Sequence, residues 1–148
     1  MARVQGGTET DALEALIDER LMFREASRLP QAALTPGEEE RAVDSIRPRL
    51  PNPTAAEQLD LVRLARREAT IVKYVEFRFR PQVRVTDEEV RGAWSAGGAA
   101  ASSGRSFEEA SPAVREWLAL RVLDALVEAW VKDLRERAGI RYNPEPAS

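Results

Sequence analysis

The sequence predicts an all-α protein, a single helical domain over 1–148 built around one long helix near the C-terminal end. Three observations predict it. Apolar residues recur at three- and four-residue spacing over most of the chain, capping residues stand where that period starts, and proline or glycine stands where it stops. Over 112–138 the charged positions Arg121, Asp124, Glu128, Lys132 and Arg135 fall into one narrow stripe. One flank of that stripe carries Val114, Leu118, Val122, Leu126 and Ala129, and the other carries Leu120, Leu123, Val127, Trp130, Val131 and Leu134. Other helices must cover this one on both sides.

From the start of the chain, residues 2–5 hold one apolar residue, Val4, and end at Gly6-Gly7, a strong breaker; a short strand is expected there. Thr8 with Asp11 resembles a capping box opening the first helix, which carries Leu13, Leu16, Ile17 and Leu21 and stops near Leu29-Pro30. Thr35, Pro36 and Glu38 supply N-cap, first-turn proline and third-position glutamate for a second helix. Its modest face is Ala42, Val43 and Ile46, and Pro48 ends it. Residues 50–53 form a tight connector, after which Thr54 with Glu57 opens a long third helix.

The apolar seam of that helix is Leu61, Leu64, Ala65, Ile71, Val72, Val75 and Phe79, with Glu68 inside it. The plain account of Glu68 is a carboxylate at a helix contact paired with an arginine; a catalytic one would need a partner that the sequence does not identify. Tyr74 and Phe77 project from the opposite side, beside Arg63, Arg67 and Thr70, so either another element covers them or they form an exposed aromatic patch. Arg80-Pro81 breaks the helix, 83–85 is extended, and Thr86 caps a short helix bearing Val90 and Trp94. Residues 95–106, SAGGAAASSGRS, have nothing to bury and read as a flexible segment. Ser106 with Glu109 restarts helical structure at Phe107, and Ser111-Pro112 offers an N-cap and first turn for the long helix. Gly139 followed by Ile140 fits a left-handed C-cap, 140–142 is an extended stub, and the polar tail should fray.

The chain has 148 residues, 43% hydrophobic and 32% charged, enough apolar material for one soluble domain with a real core. A net charge of −3 gives no reason to expect a nucleic-acid partner. There is no histidine and no cysteine, which removes thiol nucleophiles, imidazole bases, disulfides and Cys/His zinc sites. No GxxxxGK phosphate loop is present, and neither a cofactor nor a metal is expected. The N-terminus is too short and polar for a signal peptide, and no apolar run approaches the roughly 20 residues of a membrane span, so no membrane insertion is expected.

Three segments, taken in order, resemble one family: LEALIDERLMFREASRL at 13–29, FRFRPQVRVTDEEVRGAW at 77–94, and WLALRVLDALVEAWVKDLRERAGIRY at 117–142. They are similar to the SurA-like periplasmic chaperones, relatives of the parvulin-type peptidyl-prolyl isomerases. In that family the isomerase module is inserted where this chain has only 95–106. The resemblance therefore implies a chain that is not an enzyme. It implies an ATP-independent chaperone-like domain of the periplasm or cell envelope, binding unfolded outer-membrane or secreted polypeptides. It also implies a small two-stranded pairing of the chain ends, 2–6 with 140–142. Client binding would run on exposed aromatic surface, for which Tyr74, Phe77, Trp94 and Phe107 are the candidates: the first two leave the apolar seam and the others flank 95–106. The alternative is an interaction or oligomerisation module with a dedicated partner, including a homodimer by exchange of the closing helix across 95–106.

Overall fold

The computed structural model describes residues 2–97 and 106–143, with side chains from residue 9 onward. The helices are α1 (Ala2–Ala26), α2 (Pro36–Ile46), α3 (Ala55–Arg78), α4 (Asp87–Ser95) and α5 (Phe107–Ala138). Short 3₁₀ turns at Pro30–Ala32, Arg47–Arg49 and Arg80–Gln82 punctuate them, each with a proline in its first two positions. Among the described residues there is no strand, and the fold is all-α.

Local capping chemistry sets most helix starts. Thr35 and Glu38 form a reciprocal capping box, the Thr35 hydroxyl accepting from the Glu38 amide and the Thr35 amide donating to the Glu38 carboxylate. Thr54, Thr86 and Ser106 hydroxyls accept from the amides of Glu57, Glu89 and Glu109. Gly139 takes φ +60°, the left-handed residue past the end of α5.

Three expectations are corrected. α1 does not open at Thr8 but runs from Ala2 through Gly6-Gly7, so the strand expected at 2–5 is absent. Residues 140–143 carry no regular structure either, and the two-stranded pairing of the chain ends does not form. A ribbon of about three residues a side is not stable in water, whereas lengthening an existing helix adds hydrogen bonds without a new nucleus. Thirdly, Ser111-Pro112 does not open a helix: α5 is continuous from Phe107 and Pro112 lies inside it. Pro112 and Glu108 are both exposed, so the carbonyl that loses its amide partner faces water. Of the segment read as flexible, Ser95 closes α4 and Ser106 caps α5, while 98–105 lies outside the described residues. The tail beyond residue 143 lies outside them too.

The chain divides into two compact units, Met1–Phe77 with Trp130–Ser148, and Arg78–Ala129. In the first, Ile46 of α2 and Leu61 and Ala65 of α3 form a buried cluster, flanked by Ala42, Val43, Leu50 and Leu64. Five residues after Ala65, α3 buries Thr70 and then Tyr74, a face turned by about 140°. Tyr74 stacks on Trp130 of α5 with ring centroids 4.9 Å apart. Polar contacts help to hold α1: Glu19 accepts from Arg67 at 2.7 Å, and Arg135 lies between Asp18 and Glu14. The Tyr142 hydroxyl also donates to Glu14, at 2.8 Å. Leu13 and Leu16 stay exposed, while Ile17 and Leu21 are half-buried.

In the second unit Val90 of α4 is fully buried against Ala110 and Val114 of α5, with Val85, Ala93 and Leu118 around them. Arg115 fastens the start of α4, donating to the Val85 carbonyl and the Asp87 carboxylate. Beyond Val114 the next buried residues of α5 are Ala119 and Leu123, again a turn of about 140°. α5 is thus covered on two sides in succession along its length. Each flank read from the sequence has one gap in its cover, Ala129 on one and Leu120 on the other, both exposed.

Candidate functional site

The four aromatic candidates meet different fates. Tyr74 is 8% exposed, lying flat on Trp130, whereas Phe77 on the last turn of α3 is 52% exposed. The sequence places Tyr74 and Phe77 on one side of the helix; the structure makes Tyr74 part of the buried stripe. Trp94 and Phe107 are half-buried in the second unit and meet edge-to-face at 5.6 Å, packed against the Val90 cluster. The Arg91 guanidinium lies 4.6 Å from the Phe107 ring centre, so this pair already has a cation on its outer face. Glu68 is half-buried and pairs with Arg49 at 3.5 Å, the plain account of that carboxylate.

Within the first unit, α2 and α3 run antiparallel: Glu38 at the start of α2 meets Lys73 late in α3, and Ile46 at its end meets Leu61 and Ala65. Between them lies an open groove of about 540 Å³. Ala42, Ile46, Ala65 and Ala69 line it, with Leu34 and Val72 also in its wall. Three of these are alanines, and the space exists because small side chains stand where larger ones would fill the helix contact. Val72, read from the sequence as part of the apolar seam, is 59% exposed. Phe77 follows Lys73 by one helical turn on the same side of α3.

Two acids of this groove, Glu38 and Glu68, have cationic partners, while Arg41 in its wall has no carboxylate paired with it among the described residues. Lys73 donates to the Glu38 carboxylate and to the Ala33 carbonyl, both at 2.7 Å, which ties α3 to the capping box of α2. Three donors converge on Glu38, the Lys73 ammonium foremost and then the Thr35 amide and hydroxyl, and they hold its carboxyl down at about 2. Arg49 and Glu68 form the second pair. Elsewhere in the unit, the Tyr142 hydroxyl and then Arg135 lower the Glu14 carboxyl, while Asp18 chiefly raises Arg135.

Sequence reading missed this groove. The available signal was the coincidence of Ala42 with Ala65 and Ala69 on two consecutive helices, but a small residue reads equally as close packing or as open space. Among the described residues no cluster of acidic side chains is placed to hold a metal ion, and no helix is long and apolar enough to cross a membrane. No family model, curated protein or solved structure matches the chain.

Proposed function

We propose that this chain binds unfolded polypeptide without nucleotide, as a chaperone-like domain of the cell envelope whose clients are outer-membrane or secreted chains. The α2–α3 groove carries the reading: it is open, apolar at its base, and two of its acids, Glu38 and Glu68, are paired in place. An extended apolar stretch of client can lie along Ala42 and Ala69 with its side chains against Leu34 and Val72. Burial of apolar area drives such binding at roughly 25 cal/mol per Å², and it needs no sequence-specific partner. Because Glu38 and Glu68 already have cations, neither of these carboxylates selects a client by charge. Phe77 extends the apolar surface past the end of the groove. Compartment and client class come from the resemblance to the SurA-like family, and catalysis has no part in the proposal.

The test is dilution of a chemically unfolded outer-membrane polypeptide into buffer without ATP, followed by light scattering, at near-stoichiometric ratios of this chain. The wild type is expected to suppress scattering. Val72→Ser/Phe77→Ser and Ala69→Trp, which fills the groove, are expected to lose suppression while keeping helical circular dichroism. Full suppression by both variants would move the client surface elsewhere. No suppression by the wild type would overturn the reading in favour of one dedicated folded partner or a second copy.

A further inference from the structure

The second unit has a concave site of its own, about 360 Å³ in volume, where Arg80, Arg84 and Arg115 surround a patch of Val83, Val85 and Ala119. The other lining residue, Glu116, is an acid and pairs with Arg80 at 3.2 Å. Arg115 has the Asp87 carboxylate as partner, and its other terminal nitrogen donates to the Val85 carbonyl at 2.8 Å. Arg84 differs from both. It is exposed, and among the described residues no carboxylate pairs with it; its Nη1 donates to two neutral carbonyls, Pro81 at 2.8 Å and Val83 at 3.1 Å. Those contacts orient the guanidinium and leave its Nε and Nη2 edge, two parallel donors of the geometry a carboxylate accepts.

We propose that this pocket binds the carboxylate of an acidic residue within a peptide, with aliphatic neighbours of that residue lying on Val83, Val85 and Ala119. The charge inventory favours a carboxylate over a phosphate. Arg80 and Arg115 each already hold a carboxylate and Arg84 has none among the described residues, so one guanidinium is left for a single negative charge, and a dianion would bring a second charge beside Glu116. The apolar patch favours a peptide over a bare ion, since it gives the residues beside the acid something to cover. This inference does not rest on the groove of the first unit.

Isothermal titration calorimetry on the whole chain at low ionic strength tests it, with a short blocked peptide carrying one glutamate between valines and the same peptide carrying glutamine. The glutamate peptide is expected to bind at least about tenfold more tightly, a preference that weakens as salt is added. Arg84→Gln is expected to abolish the preference, and Arg84→Lys, which keeps the charge but not the fork, to retain part of it. Equal binding of the two peptides by the wild type would overturn the proposal without recourse to any variant. So would a preference that survives in Arg84→Gln with its helical content unchanged. Inorganic phosphate displacing the peptide more effectively than acetate would identify a general anion site and overturn the peptide assignment.

Discussion

At Glu38 a capping box and an interhelical ion pair share one carboxylate, which makes the residue sensitive to acid. Its folded pKa of about 2 lies below the ordinary 4.5, so its contribution is present above about pH 4.5 and is lost as pH falls toward 2. Glu38→Gln separates the two roles, because glutamine still serves at the third position of a capping box but offers Lys73 no charge. Between about pH 6 and pH 3, the urea midpoint of the wild type is expected to drop further than that of Glu38→Gln. Equal drops would take Glu38 out of the acid response. Residue-scale reading of the sequence succeeded where the partner was near in the chain, as for Thr35 with Glu38. It succeeded for Glu68 because a carboxylate at a helix contact requires a cation, and Arg49 is there. It did not find the cover of Tyr74, since an aromatic ring names no partner, and Trp130 arrives from a helix distant in sequence.

α3 and α5 share a device: each changes its buried face at a five-residue step, Ala65 to Thr70 in α3 and Val114 to Ala119 in α5. A step of five breaks the three-and-four rhythm by which one face is recognised, so apolar residues appear around most of the circumference. Helix existence and capped starts remained legible because they depend on neighbours in the chain. The joining of Phe107 to Ala138 into one helix did not, because Ser111-Pro112 is a sound start signal when viewed locally. Pro112 deprives α5 of one hydrogen bond near its start. Pro112→Ala is therefore expected to stabilise the protein by about 1–2 kcal/mol, less than the ~3 of a mid-helix proline, read as a higher urea midpoint with unchanged slope. A lower midpoint would mean that proline's restriction of the unfolded chain outweighs the missing bond.

Across the whole chain, the first unit is completed by residues from its far end. Trp130 stacks on Tyr74, Arg135 bridges Asp18 and Glu14, and Tyr142 reaches Glu14, so α1 and α3 both depend on the last part of α5. Arg135→Gln would leave Glu14 and Asp18, one turn apart on the same face of α1, without their shared cation. Faster amide exchange is expected both in α1 around Glu14–Asp18 and in the last two turns of α5, with α4 unaffected; an unchanged pattern would show that the stack alone holds the segment. Fold class was legible at this scale because helical signals are local and mutually consistent, whereas the groove depends on how far apart two helices settle. The distribution of indoles has an optical consequence. Trp130 is the one tryptophan of the first unit, and Trp94 and Trp117 both belong to the second. With Trp94 and Trp117 replaced by phenylalanine, fluorescence emission would follow the Tyr74 stack alone; with Trp130→Phe it would follow only the second unit. Each unit thus carries its own chromophore, and the melting of one can be watched without the light of the other.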